Sequence, residues 1–200
     1  MIDKSIPHYP LTMTKEDTDQ YPRYSLPEGY DFVFYQKGDE VKWAEIEVSV
    51  GQFESIELGL THFSRQFVEE QNLAPEERML FVRSPAGEYV ATATLWNGDH
   101  FGDEHQRIHW VAVKDTHEGK GLAKAMLTRL MDLYRELGYG GFLYLLTGTR
   151  NFPAVAIYRK FGFVDYTGPR SLAPQKTDEE FASQAKKAVA IINEQINKKE

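Results

Sequence analysis

The chain has 200 residues, 42% hydrophobic and 26% charged, the proportions of a soluble globular domain long enough to bury a core. It has no cysteine, which excludes disulfides, thiolate metal sites and cysteine nucleophiles. The formal net charge of -7 argues against general nucleic-acid binding, which needs a basic face. Acidity weakly suits a cationic small molecule, although solubility alone accounts for it. The opening MIDKSIPHYPLTM has no apolar signal core and no apolar run reaches membrane-spanning length, so the expectation is a soluble, cytoplasmic protein with no membrane partner.

Residues 1–29 are rich in proline and tyrosine. Proline denies this stretch a helix while its aromatics argue against a free tail, so it reads as an extended segment lying on a domain. Residues 30–36 read as a strand, with Phe32 and Phe34 on one face. Residues 39–50 read as a helix with mixed apolar spacing (Val41, Ala44, Ile46, Val48), and 54–71 as a clearer one through Ile56, Leu60, Phe63 and Phe67. Strands follow at 78–84 and 88–97 around the hairpin chemistry of SPAG. A polar loop covers 98–106 and a strand 107–113. A helix is predicted over 119–137, its apolar stripe Leu122, Met126, Leu130, Leu133 and Leu137, with Lys124, Thr128, Asp132, Arg135 and Glu136 opposite and Gly138 at its end. Then come a strand at 141–148, a short helix at 151–162 with Pro153 in its first turn, and a strand at 163–166. After a linker from 169, residues 177–199 open with a capping box, Thr177 and Glu180. The stripe Phe181, Ala185, Val189, Ile192, Ile196 must dock on the domain or on a second copy, and a homodimer through this helix is one expectation. The order implies an α/β domain with a mixed sheet, antiparallel early and crossed over by a helix later.

The stretch VAVKDTHEGKGLAKAML (111–127) raises the functional question. It runs strand, polar turn with Gly119 and Gly121, helix. The first amides of a helix lack intrahelical partners and favour an anion. Glycine removes side chains where a phosphate would approach the backbone, and Lys120 and Lys124 add positive charge. Lys120 is followed by glycine, so this is not a P-loop. A third glycine and an early βαβ unit are lacking, so it is not a dinucleotide fingerprint. Taken alone, the turn is either a phosphate-binding loop or merely a strand-to-helix connection.

The second half bears on that choice. Glu118-Gly119-Lys120-Gly121-Leu122-Ala123 resembles the pyrophosphate turn of the GNAT superfamily of acyl-CoA-dependent N-acyltransferases, pattern Q/R-x-x-G-x-G/A. Asn151, Ala154 and Tyr158, followed by Gly162-Phe163, resemble the superfamily's later N-x-x-A-x-x-x-Y helix. The close match covers 108–166, and the element order extends it back to about 30. Residues 1–29 and 169–200 lie outside it. The usual first residue of the turn is replaced by Glu118.

The resemblance implies a GNAT fold over residues 30–168 and acetyl-CoA as co-substrate. Its pantetheine arm would be held by the backbone of Val111, Ala112 and Val113, its diphosphate by residues 118–123. An amide near Val111 would polarise the thioester carbonyl. Tyr158 would protonate the departing thiolate; without the motif it would read as a core aromatic. Asn151, Ala154 and Tyr158 share one helix face, and Asn151 is either a cofactor contact or its helix N-cap. His109, Val111 and Val113 alternate onto one strand face. Arylalkylamine-acetylating relatives carry a catalytic histidine at the position of His109, which is otherwise a structural histidine. The glutamate base of histone-acetylating relatives is replaced by Arg107. The loop bearing His100, Asp103, Glu104 and His105 reads as solvated, and no metal is expected. The expected activity is transfer of an acetyl group to a primary amine, with a small-molecule acceptor favoured. The alternatives are a non-catalytic coenzyme A-binding module and acetylation of a protein N-terminus or lysine.

Overall fold

The computed structural model describes residues 5–69, 73–168 and 177–198. Its elements are β1 (Pro10–Lys15), β2 (Asp31–Phe34), α1 (Glu40–Ser49), α2 (Ile56–Phe63), β3 (Met79–Arg83), β4 (Tyr89–Gly98) and β5 (His105–Val113). They continue with α3 (Leu122–Glu136), β6 (Leu143–Gly148), α4 (Phe152–Lys160), β7 (Val164–Tyr166) and α5 (Asp178–Asn197). The strands follow the order β2-β3-β4-β5-β6-β1-β7. β2, β3 and β4 form an antiparallel meander, and β5 and β6 run parallel from Gln106↔Leu143 to Ile108↔Leu145. This is the mixed sheet that the element order implies, with α3 as the crossover between its parallel strands.

The chain falls into two compact units, and each has its own packing. The first comprises Arg23–Trp96 and His109–Leu137. Its largest layer packs Trp43, Ala44, Ile46, Phe63 and Phe67 with Met79, Phe81, Trp96 and Ala112. α2 is shorter than its apolar period suggests. It gives way to a π-helical turn over Ser64–Glu69, and residues 70–71 of the predicted helix lie outside the described residues. On α3, the side read from sequence as solvent-facing is partly covered. Arg23 pairs with Asp132 through two hydrogen bonds of 2.9 and 2.8 Å, and the Tyr24 amide donates to Thr128 Oγ1 at 3.0 Å. Thr128 is buried as a result. Arg23 and Tyr24, ahead of β2, are thus tied to α3 by polar bonds.

The second unit comprises the described residues of Asp3–Pro22, Asn97–Ile108 and Gly138–Glu200. Here the reading of residues 1–29 as a segment laid over a domain needs correction. Residues 10–15 are a strand of the sheet itself, antiparallel to β6 from Pro10↔Gly148 to Lys15↔Leu143 and to β7 at Thr12↔Tyr166 through Thr14↔Val164. Leu11 and Met13 are fully buried, and proline stands only at the strand's first residue, where a ladder tolerates it. α5 closes its N-terminus with the anticipated capping box and lays Phe181, Ala185, Ala188 and Ile192 inward against β1, α4 and β7. The predicted linker 169–176 and Lys199 lie outside the described residues.

Candidate active site

The glycine turn opens α3 as anticipated. A short 3₁₀ turn, Asp115–His117, leads out of β5. Gly119 and Gly121 both adopt left-handed backbone, φ 76° and 83°. At those angles any other residue is strained, and a side chain added to either would meet no protein atom within 4 Å. The glycines thus leave open space above the helix mouth. The first helical bond runs from the Ala125 amide to the Gly121 carbonyl at 3.1 Å. The amides of Leu122, Ala123 and Lys124 therefore have no intrahelical acceptor, and no side chain caps them. The Glu118 amide donates instead to the Asp115 carbonyl at 3.1 Å. This removes it from the donor set proposed for 118–123. Its carboxylate is exposed.

Two tyrosines of the preceding segment steady the lysines at this mouth. Lys120 Nζ donates to Tyr30 Oη at 3.2 Å, and Lys124 Nζ stands 5.3 Å from the Tyr24 ring centre. The half-buried His117 meets Tyr30 edge-on at 6.0 Å. Burial and the neighbouring Lys120 and Lys114 hold this imidazole below its usual titration range. Open amides, two lysines and space where a side chain would stand together fit a diphosphate.

β5 departs from simple alternation. Trp110 takes φ 49°, an arrangement that costs a non-glycine residue on the order of 1–3 kcal/mol. The ring is held on several sides. Its centre lies 5.2 Å from Trp43, 5.6 Å from Phe53 and 5.2 Å from His62, and its Nε1 donates to Gln66 Oε1 at 2.6 Å. The kink sends two consecutive side chains into one layer, since His109 also faces it, 6.3 Å from Phe67. Ala112 then joins the layer, while Val111 and Val113 are half-buried. His109, Val111 and Val113 therefore do not share one alternating face, because the left-handed residue between them resets the strand's two-residue period.

In the second unit, Pro153 occupies the first turn of α4 and Asn151 the N-cap position, but the Asn151 side chain makes no capping bond. Capping does not explain the asparagine. Ala154 is half-buried. Tyr158 is buried, its ring 6.2 Å from Phe163. Burial pushes its phenol well above the ordinary range, so it stays protonated and able to donate across physiological pH. The Gly162-Phe163 pair has a local cause. Gly162 takes φ 85° to end the helix, and the Phe163 amide then reaches back to the Tyr158 carbonyl at 3.1 Å.

Sequence reading missed one group. Glu47 lies on the face that α1 buries, one turn from Trp43, and is 1% exposed. Its Oε1 has no hydrogen-bond partner in the protein, and burial raises its carboxyl to about 8. The legible signal was a glutamate interrupting the Trp43, Ala44, Ile46, Val50 stripe. Among the described residues there is no cluster of metal-ligating side chains, and no helix is long and apolar enough to cross a membrane.

A family model described as the acetyltransferase (GNAT) family matches residues 13–163. The chain is 28% identical over 90 residues to N-acetyltransferase family 8 member 2 of Rattus norvegicus, covering 45% of this chain and 34% of that protein. It is 36% identical over 56 residues to the N-alpha-acetyltransferase RimI of Mycobacterium tuberculosis, covering 28% and 33%. These matches span about a third of each relative's length. Among solved structures, a GCN5-related N-acetyltransferase from Sphaerobacter thermophilus superposes with TM-score 0.60 at 22% identity, covering 80% of this chain and 49% of that one. A tandem GNAT protein from the clavulanic acid biosynthesis pathway superposes at 0.57 with 16% identity, covering 82% and 52%. The family match begins inside β1, consistent with that strand's place in the sheet. The order of strands, the helix-opening glycine turn and a family match over most of its length make this chain a member of the GNAT acetyltransferase family.

Proposed function

We propose that the protein is an acetyl-CoA-dependent N-acetyltransferase acting on a small-molecule primary amine. The observation that carries this is the mouth of α3, where uncapped amides, two left-handed glycines and two lysines meet open space. The amides of Leu122, Ala123 and Lys124 hold the coenzyme diphosphate, with Lys120 and Lys124 balancing its charge. The backbone of Val111, Ala112 and Val113 pairs with the pantetheine arm. When bound, acetyl-CoA supplies an acyl group activated as a thioester.

The protein's own groups handle the protons. Tyr158 keeps a proton on Oη at neutral pH and gives it to the departing thiolate. His109 takes the proton that the amine loses as its nitrogen attacks the carbonyl in a ternary complex. The Val111 amide, next to the kinked Trp110, stabilises the charge developing on the carbonyl oxygen. The half-buried rings of Phe53, His62 and Trp110 favour a small amine with an apolar body. The test is a panel of primary amines assayed by free-thiol release from acetyl-CoA. Amine-dependent thiol release is expected. Coenzyme binding with no release on any amine would leave a non-catalytic binding module.

A further inference from the structure

The layer between α1 and the sheet gathers several buried polar atoms without a partner in the protein. Glu47 Oε1, the indole nitrogens of Trp43 and Trp96, and the hydroxyls of Thr92 and Thr94 are all buried without a hydrogen-bond partner in the protein. They belong together by construction. Trp43 and Glu47 are one helical turn apart on the buried face of α1. Thr92, Thr94 and Trp96 alternate onto one face of β4, opposite Phe81 and Met79 in register, and those two residues share the layer with Trp43 and Trp96. Phe67 bridges the indoles, 5.9 Å from Trp43 and 4.9 Å from Trp96. Buried polar groups are almost always satisfied, so such a cluster is a costly feature to maintain.

The cluster has a half-buried side and a sign. Phe53, His62 and Trp110 are half-buried and stand 5.2 to 5.6 Å apart, with Phe53 and Trp110 directly against Trp43. Aromatic ring faces are electron-rich, and the most deeply buried ionisable group here, 1% exposed, is a carboxyl whose Oε1 has no hydrogen-bond partner in the protein. That combination attracts cations. We infer that Glu47 reads the cationic nitrogen of the acceptor, whose apolar or aromatic frame packs against the half-buried Phe53, His62 and Trp110. The inference deepens the acetyl-transfer proposal and rests on it. Burial keeps Glu47 largely protonated at pH 7, so seating a cation beside it expels a proton. His62, His109, Tyr35 and Tyr89 are other titratable groups facing this layer.

The test is calorimetric titration of the full chain saturated with coenzyme A at pH 7. The probes are 2-phenylethylamine, phenyltrimethylammonium and the neutral 2-phenylethanol. The two cations are expected to bind at least about thirtyfold tighter than the alcohol, the loss typical when one partner of a buried charge pair is removed. Their binding releases close to one proton, read by repeating the titration in buffers of different ionisation enthalpy. Glu47→Gln should abolish the preference and that release while binding coenzyme A and melting no lower than the parent. Protons from the histidines or from Tyr35 and Tyr89 would persist in the variant, which separates them from Glu47. No cation preference in the parent, or an unchanged preference in Glu47→Gln, overturns the inference. Thiol release from acetyl-CoA is read alongside. Transfer that survives Glu47→Gln with unchanged KM removes Glu47 and leaves the acetyltransferase standing, whereas Glu47-dependent binding without thiol release does the reverse.

Discussion

Replacing Glu47 by glutamine tests whether its carboxyl lies in a dry, uncompensated place, independently of any ligand. The substitution keeps shape and removes the ionisation. Burial raises this carboxyl from 4.5 to about 8. The native state therefore holds a proton that the unfolded chain has released between those limits. Stability conferred by that proton is complete below pH 4.5, declines as pH rises, and levels off above 8. At about 1.4 kcal/mol per unit, the whole shift is worth roughly 5 kcal/mol, of which roughly 4 kcal/mol falls between pH 5 and 9. Urea unfolding of both proteins across that range should show Glu47→Gln gaining on the parent as pH rises. With a slope of about 2 kcal/mol per molar urea, its midpoint advantage grows by about 2 M. Parallel stability profiles for the two proteins would mean that Glu47 ionises as an ordinary surface carboxyl, and the buried cluster would lose its meaning.

Other expectations concern the reaction and the turn. Saturating acetyl-CoA should raise the melting temperature, with about 2.7 kcal/mol of added stability at a hundredfold excess over Kd; no shift would point to a decayed site. Gly121→Ala should cost about 1 kcal/mol of stability through its positive φ alone, since no protein atom obstructs the new methyl. It should also remove most of the coenzyme-induced shift, and a retained shift would place the diphosphate elsewhere. Tyr158→Phe should lower kcat by about a hundredfold with coenzyme A affinity nearly intact, and equal turnover would take the tyrosine out of the mechanism. His109→Ala should displace the acid limb of the kcat/KM profile, because an imidazole base fails once protonated; an unmoved limb would point to water or another group.

What could be read from sequence was local. The α3 glycine turn, the Thr177–Glu180 capping box, the first-turn Pro153 and the helix-ending Gly138 all depend on neighbours a few residues away, and the structure reproduces each. The pairing of a glycine turn with the later Asn151–Tyr158 helix was enough to suggest the family that the matches then showed. Tertiary structure alone decided the rest. From sequence β1 reads as part of an extended segment laid over the domain until β6 and β7 flank it, because a strand is made by partners more than a hundred residues distant. The φ of Trp110 is set by the Trp43, Phe53 and His62 rings and by Gln66, not by its own propensity, and it overturned the alternation expected for His109 and Val111. Glu47 reads as an ordinary helix glutamate until the sheet closes beneath α1. Desolvation belongs to the assembled layer, and a carboxyl acquires its unusual proton affinity only when water is removed from every side.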